Sequence, residues 1–242
     1  MADTGTIAPT DRLRRSPLYR VLEAAGANFA EINGTAVAAD FGAPDAEAEA
    51  ARKMAIADLS PLARVGFKGR GALDWARGHG VEISDANNVA YRQPGGALAA
   101  RLADTEVVVI DNLDGKGALP HRLESEWSMD NADGGYLVNR QGANFWFMVT
   151  GEHAPAMFAK VCGVDLRAGK FPVGAIAQTS VARTNCIVIR ADFGDVPAYH
   201  MMGDIASAAY QWGCLLDAMD EFGGRPIGIA ALRRLVPGKE AG

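Results

Sequence analysis

Two stretches decide the fold: ARVGFKGRGALDWARGHGVEI at residues 63–83 and ANFWFMVTGEHAPAMFAKVCGVDL at residues 143–166. Each is a β-rich run that ends at a glycine, followed by a helix-like stretch and then by the pattern Gly-Val-acid-aliphatic. Gly151 follows Gly69 by 82 residues, and Gly163 follows Gly80 by 83 residues. A nearly constant offset is typical of a duplicated unit. The sequence therefore predicts two related halves.

The order of predicted elements favours an α+β fold, because short strands come in hairpins rather than in strict β-α-β alternation. We expect two homologous lobes, each a mixed, mostly antiparallel sheet with packed helices. The predicted boundaries are residues 16–123 for the first lobe and residues 124–236 for the second. Residues 1–15 are polar and are predicted to form a flexible tail.

Two segments have clear helical patterns. Residues 45–57 are rich in alanine and acid, which predicts a helix. Residues 204–222 repeat apolar side chains at helical spacing, which predicts the longest helix, with Asp204 as its cap.

Three consecutive aromatic residues, Phe145-Trp146-Phe147, lie on a predicted strand, so their side chains point to both faces of the sheet. Either the chain covers both faces, or one face contacts a partner.

Composition limits the classes of function. The 242 residues carry a formal net charge of −5, which argues against broad electrostatic binding to nucleic acid or anionic membranes. The basic residues Arg12, Arg14 and Arg15 lie in the predicted tail and are interpreted as solvated. No apolar run reaches the roughly 20 residues that cross a bilayer, and the first residues lack the apolar middle of a secretion signal. We therefore expect a soluble, cytoplasmic protein whose three cysteines are reduced thiols.

The common catalytic and binding motifs are missing from the sequence. It holds no glycine-rich phosphate loop, no paired histidines at metal-ligand spacing and no G-x-S-x-G nucleophile elbow. The acids near Trp127 fall among turn-forming residues and are interpreted as a solvated connector. Residues 171–183, which include the polar side chains of Gln178 and Arg183, stay open as a functional segment.

Several motifs resemble a known family. The aminomethyltransferase (glycine-cleavage T-protein) superfamily places an Asp-Leu-Ser turn between a helix and a strand, as Asp58-Leu59-Ser60 does here. The second half resembles the gamma subunit of heterotetrameric sarcosine oxidases over CGVDLRAGKFPVGAIAQTSVARTNCIVIR at residues 162–190 and AYQWGCLLDAMDEFG at residues 209–223. The resemblance spans residues 16–235.

This resemblance implies a component of an oxidoreductase complex. In such complexes other chains hold NAD, FAD and FMN, and a large subunit carries tetrahydrofolate. The resemblance implies alpha, beta and delta type subunits as partners. It also implies that a gamma-type chain, such as this one, holds none of these cofactors. The absence of a nucleotide-binding loop in the sequence agrees with that division.

Two departures from the aminomethyltransferase pattern concern its chemistry. In that superfamily a Gly-Gly turn leads into a strand with an aspartate near the folate amine, but here Gly95-Gly96 leads into Ala97-Leu98-Ala99-Ala100. The Gly-Glu pair that holds the pterin is also missing, because Arg183-Thr184 continues into Asn185-Cys186. A methyl group can neither position nor stabilise a cationic amine. We therefore expect no catalytic residues in this chain.

The leading hypothesis is a non-catalytic gamma-type subunit of a flavin-dependent enzyme that demethylates sarcosine or another N-methyl amino acid. Its candidate contacts with partner subunits are Phe145, Trp146, Gln178 and Arg183. The alternative is an autonomous tetrahydrofolate-binding protein or aminomethyltransferase-like enzyme, with Arg183 and Tyr199 lining the folate pocket. A third possibility is a free-standing scaffold of this fold that binds an unrelated small ligand.

Overall fold

A computed structural model describes residues 6–236. The helices are α1 (Tyr19–Ala24), α2 (Pro44–Lys53), α3 (Ala72–Gly78), α4 (Ala118–Glu126), α5 (Arg140–Ala143), α6 (Ala154–Val161), α7 (Ala208–Met219) and α8 (Ile229–Leu235). The strands are β1 (Arg14–Arg15), β2 (Asn28–Ile32), β3 (Thr35–Asp40), β4 (Ala55–Asp58), β5 (Arg64–Lys68), β6 (Val89–Arg92), β7 (Leu98–Ala103), β8 (Glu106–Ile110), β9 (Tyr136–Val138), β10 (Asn144–Thr150), β11 (Ile176–Val181), β12 (Thr184–Arg190), β13 (Ala198–Asp204) and β14 (Arg225–Pro226).

The strands form two large sheets and one small one. The first sheet has the order β6-β7-β8-β5-β9, and the second has the order β11-β12-β13-β10-β4-β14. The small sheet has the order β1-β3-β2. Neighbouring strands are antiparallel except for β1 with β3 and β14 with β4. The α+β class expected from the sequence is confirmed.

Alternating side chains place the two large sheets face to face between layers of helices. On β10, Phe145 and Phe147 pack with α6 and α7, whereas Trp146 and Met148 pack with the first sheet. Strand β8 alternates in the same way between the inter-sheet core and helices α3 and α4. The chain itself therefore covers both faces of β10. Phe145 and Trp146 are 0% exposed, so the hypothesis that they contact a partner is wrong.

The duplication is visible in the connectivity. The run β5-α3-β6-β7-β8-α4 matches the run β10-α6-β11-β12-β13-α7 in order and in strand pairing. Each sheet is then extended by a strand from the other half. Strand β9 pairs with β5, with Gly66 opposite Val138, and β4 pairs with β10, with Met148 opposite Ala57. We call this arrangement the strand exchange.

Two glycines at equivalent places of the duplication make room for the strand exchange. Gly69 and Gly151 have φ of +129° and +113°. A Cβ on Gly69 would lie 2.0 Å from the carbonyl oxygen of Gly134, and one on Gly151 would lie 2.3 Å from the backbone of Lys53. Both neighbours come shortly before an exchanged strand. Only glycine combines this backbone conformation with so close an approach.

Three sequence predictions need correction. The boundary at 123/124 does not separate two bodies, because the strand exchange crosses it in both directions. Residues 6–15 are not a flexible tail: Ile7 bridges to Phe29, and β1 pairs with β3; residues 1–5 lie outside the described residues. The predicted helix 45–57 ends at Lys53, because Ala55–Asp58 is buried on both faces and pairs with β10 and β14.

The prediction for residues 204–222 is largely confirmed. The segment contains α7 between two short 3-10 turns, Ile205–Ser207 and Asp220–Phe222. Asp204 caps its start, because its Oδ1 accepts a hydrogen bond from the Ala206 amide at 2.8 Å. The 3-10 turns explain why the apolar spacing continues beyond the α-helix itself.

The glycine constraint gives a first prediction. Gly151→Ala should lower the free energy of unfolding by about 2–5 kcal/mol, since the left-handed conformation and the overlap with Lys53 both oppose a methyl group. Chemical denaturation of the purified variant measures this change. Gly163→Ala is the matched control, because a Cβ there meets nothing within 4 Å. An equal effect of the two substitutions would contradict the assigned role of Gly151.

Candidate functional site

A cavity of about 430 Å³ lies between the two large sheets at one end of their interface. It opens where the turn between β6 and β7, the loop after β8 and the loop between β12 and β13 come together. We call it the inter-sheet cavity. Its lining residues are Arg92, Gly95, Gly96, Leu98, Asp111, Asn112, Leu113, Asp114, Ala191, Asp192, Phe193, Gly194, His200, Arg233 and Val236.

The turn after β6 shapes one wall of the inter-sheet cavity. Gly95 and Gly96 have φ of +83° and +89°, which glycine adopts without steric cost. The Gln93 amide donates to the Ala97 carbonyl, and the Gly96 amide donates to the Gln93 carbonyl, both at 2.9 Å. The Gly-Gly turn singled out in the sequence therefore borders the cavity.

His200 is a buried titratable residue that lines the inter-sheet cavity, at 8% exposed. It lies on β13, on the face that packs toward the first sheet. The indole Nε1 of Trp146 donates a hydrogen bond to its Nδ1 at 3.0 Å. Burial, with a smaller contribution from the charge of Arg92, lowers the pKa of His200 to about 3. The ring is therefore neutral near pH 7, and its proton lies on Nε2, because Nδ1 accepts from Trp146.

Two guanidinium groups also line the cavity, and backbone carbonyls hold both. Arg92 donates to the carbonyl of Asp192 at 3.0 Å. Arg233 donates from Nε to the carbonyl of Leu113 at 2.8 Å, and burial lowers its pKa. These bonds orient the two cations at the cavity without neutralising their charge. A ligand with hydrogen-bond acceptors or negative charge is the kind that this wall suits.

Two of the three carboxylates that line the cavity, Asp111 and Asp192, serve the local structure. Oδ2 of Asp111 accepts a hydrogen bond from the Gly117 amide at 2.6 Å, which holds the loop before α4. Burial raises the pKa of Asp111. Asp192 pairs with Arg190 at 2.6 Å. Neither carboxylate is thus a free group poised for acid–base chemistry.

The strand after Gly95-Gly96 carries no acid. Ala97, Ala99 and Ala100 are buried, with Ala100 in the inter-sheet core and Ala99 in the core beside α3 and α4. The carboxylate nearest in register is Asp111, which directly follows Ile110, the partner of Leu98. Sequence reasoning missed Asp111 and His200, because each follows an ordinary strand pattern and meets its partners only in the folded chain.

Arg183 and Tyr199, which were proposed to line a folate pocket together, are not brought together. Tyr199 is fully buried, its hydroxyl donates to the Leu166 carbonyl at 2.9 Å, and burial raises its pKa to about 12. Tyr199 pairs with Arg190, the last residue of β12. Arg183 lies at the other end of β12, at the tip of the β11–β12 hairpin. This part of the folate hypothesis is wrong, because six residues of extended strand span about 20 Å.

Gln178 and Arg183, the other two proposed partner contacts, remain exposed. Gln178 lies on β11, at the edge of the second sheet. Its Nε2 donates to Oδ1 of Asn88 and to the Leu102 carbonyl, both at 2.8 Å. Gln178 therefore joins the second sheet to the first, whereas Arg183 makes no hydrogen bond or ion pair within residues 6–236.

Within residues 6–236, no group of three or more His, Cys, Asp or Glu side chains is placed to hold a metal ion. None of the helices described is both long and apolar enough to cross a bilayer.

The buried His200 gives a second prediction. The pKa of His200 is lowered in the folded state, so below about pH 6.5 the unfolded chain binds one proton more than the folded chain. The free energy of unfolding therefore decreases as the pH is lowered. Between pH 7.5 and pH 5, the wild-type chain should lose about 2 kcal/mol more stability than His200→Gln. Urea denaturation of both proteins across this range measures the difference. Parallel pH profiles for the two proteins would show that His200 is not neutral in the fold.

No family model matches the chain, but individual known proteins do. The aminomethyltransferase of Bacillus subtilis (strain 168) is 22% identical over 232 residues, which is 90% of this chain and 62% of the relative. The glycine cleavage system aminomethyltransferase T from Bartonella henselae superposes with a TM-score of 0.67 at 17% identity, covering 90% of this chain and 60% of that one.

A second type of structure also matches. The heterotetrameric sarcosine oxidase from Corynebacterium sp. U-96, in complex with pyrrole 2-carboxylate, contains a chain that superposes with a TM-score of 0.61 at 20% identity. The match covers 87% of this chain and 97% of that one. By contrast, the chain spans only about 62% of the length of its curated aminomethyltransferase relative. The chain has the aminomethyltransferase T-protein fold, which sarcosine oxidase shares, and the resemblance to this superfamily that its motifs indicated is confirmed.

Proposed function

We propose that this chain is a non-catalytic gamma-type subunit of a heteromeric flavin-dependent enzyme that demethylates sarcosine or another N-methyl amino acid. The observation that carries the proposal is the extent of the structural match. The alignment takes up 97% of one chain of the heterotetrameric sarcosine oxidase, but only 60% of the aminomethyltransferase T. The fold described here therefore accounts for nearly the whole of one chain of a multisubunit oxidase.

The chemistry of the inter-sheet cavity supports the non-catalytic part of the proposal. Buried alanines occupy the strand after Gly95-Gly96, where a carboxylate would be needed to stabilise a cationic amine. His200, with a pKa of about 3, is a poor base and carries no ionisable proton near pH 7. Asp111 is engaged in holding its loop. His200 and Asp111 thus offer hydrogen bonds to a ligand but do not form an acid–base pair.

The proposed division of labour assigns the redox step to partner subunits of alpha, beta and delta type. Flavin held by those chains, with NAD and tetrahydrofolate, would supply the oxidation of the amine and accept its one-carbon unit. The residues of this chain do not fit a dinucleotide, because no glycine-rich phosphate loop opens a helix within residues 6–236. The contribution of this chain is to support and orient the larger subunits.

Co-purification tests this proposal. Tagged chain isolated from its native source is expected to bring down flavoprotein subunits in a fixed ratio, and the complex is expected to be yellow and to oxidise an N-methyl amino acid. The same chain expressed alone should show no flavin absorbance. Recovery of a lone monomer from the native source would overturn the subunit role.

A second candidate function is an autonomous tetrahydrofolate-binding protein or aminomethyltransferase-like enzyme. The inter-sheet cavity favours it, because its volume of about 430 Å³ and its Nε2–H and guanidinium donors suit a polar small molecule. The third possibility, a scaffold that binds another small ligand, rests on the same cavity. A binding experiment distinguishes these functions from the leading proposal.

The leading proposal predicts that the isolated chain neither binds tetrahydrofolate with micromolar affinity nor transfers a one-carbon unit to it. Isothermal titration calorimetry with tetrahydrofolate measures the first, and a methylene-transfer assay measures the second. Saturable binding that Arg92→Ala weakens at least tenfold, while the distant Arg70→Ala does not, would instead establish the folate-binding candidate. Arg92 suits this test because it lines the cavity and is exposed, so its loss leaves the cores intact.

A further inference from the structure

The turn between β11 and β12 has an unfavourable backbone. Ala182 and Arg183 occupy its two central positions with φ of +43° and +67°. Two-residue hairpin turns of this type favour Asn-Gly or Asp-Gly, because a Cβ disfavours the left-handed region. Here neither residue is glycine, asparagine or aspartate. Local stability therefore does not explain the choice of these two residues.

Hydrogen bonds from two helices hold this turn in place. The Ala182 amide donates to the Val161 carbonyl at the end of α6, at 2.8 Å. On α7, the Tyr210 hydroxyl donates to the Ala182 carbonyl at 3.0 Å, and Nε2 of Gln211 donates to the Val181 carbonyl at 2.7 Å. The base of the exposed Arg183 side chain is thus fixed in position. A side chain on a backbone that is already fixed loses less entropy when it binds.

The outer face of α7 carries a second unfavourable choice beside this turn. Tyr210, Gly213 and Cys214 follow one another at helical spacing, and Tyr210 is 51% exposed. Gly213 lies inside the helix, where glycine is destabilising, yet a Cβ there would meet nothing within 4 Å. Contacts within the described residues therefore do not require a glycine. A glycine on an open helix face allows another backbone to approach closely.

The charge at this site indicates what approaches it. A depression of about 410 Å³ between the turn, α6 and Tyr210 is lined by two cations, Lys160 and Arg183, and by no carboxylate. Lys160 already donates to the Ala218 carbonyl at 2.9 Å and lies 3.4 Å from a carboxylate oxygen of Glu221. Of these two cations, Arg183 has no ion-pair partner within residues 6–236, so its charge is available to a carboxylate from outside.

We propose that Ala182, Arg183, Tyr210, Gly213 and Cys214 form the surface on which a partner subunit docks. This inference rests on the proposed subunit role and names the surface that role uses. The partner places an aspartate or glutamate carboxylate against Arg183 and lays backbone across Gly213, beside the ring of Tyr210. Tyrosine and arginine are the residues that most often dominate binding at protein interfaces.

Substitutions that favour the isolated fold test this surface sharply. Arg183→Gly relieves the left-handed turn, and Gly213→Ala and Gly213→Trp both improve helix propensity at an open position. The Tm of the isolated chain should therefore stay equal or rise in all three variants. Affinity for the partner subunits, purified from a strain that lacks this chain, should fall at least tenfold with Arg183→Gly and with Gly213→Trp. Biolayer interferometry measures both affinities. Binding of the wild-type chain should weaken with added salt, and binding of Arg183→Gly should depend on salt less.

Matched controls lie in the first half of the duplication. Arg70→Gly removes another exposed arginine, and Gly78→Trp fills another helical position at which a Cβ meets nothing within 4 Å; both should keep wild-type affinity. If the wild-type chain binds the partner subunits and the Arg183 and Gly213 variants bind with the same affinity, the proposed docking surface is wrong but the subunit role is not. Absence of any complex with the wild-type chain would overturn both.

Discussion

The strand exchange is the constraint on which the rest of the structure depends. Each large sheet is extended by a strand that belongs in sequence to the other half, β4 in the second sheet and β9 in the first. Unfolding either half therefore removes a strand from the other, so the two sheets form one cooperative body. Gly69 and Gly151 allow this, since only glycine lets the chain turn against the segment that leads into the exchanged strand. The inter-sheet cavity is lined by residues of both large sheets, so its shape depends on the exchanged strands that hold the sheets together.

The sequence predicted what is encoded locally. The repeated glycines, the hairpins and the helical spacing of α7 gave the α+β class and the duplication, because each is a pattern within a few residues. Strand β4 was missed because its partner, β10, lies about 90 residues further along the chain, and alanine-rich residues read as helix until burial on both faces decides otherwise. The same limit applies to the site: Trp146 and His200 are 54 residues apart, and nothing near either residue indicates their hydrogen bond.

On the proposed subunit role, the inter-sheet cavity keeps the shape of a ligand site and donors for hydrogen bonds, but not the groups for acid–base chemistry. Three of its ionisable side chains are engaged with the protein: Asp111 holds a loop, Asp192 pairs with Arg190, and His200 accepts from Trp146. A buried histidine kept neutral by desolvation contributes a hydrogen bond but little basicity. Fold alone therefore does not decide between a transferase and a supporting subunit, and the decision rests on the ionisable groups of the cavity.

The surface of the second half carries the features that folding of the chain alone leaves unexplained. Natural sequences tend to be locally consistent, so residues that break a local rule mark either strain or function. Arg183 and Gly213 break two different rules, one on turn conformation and one on helix propensity, and both lie beside Tyr210. In a complex, contacts that bury this surface would offset both costs, because the backbone that carries these residues is already held in place before binding. The proposed docking surface accounts for both departures, whereas the contacts within residues 6–236 account for neither.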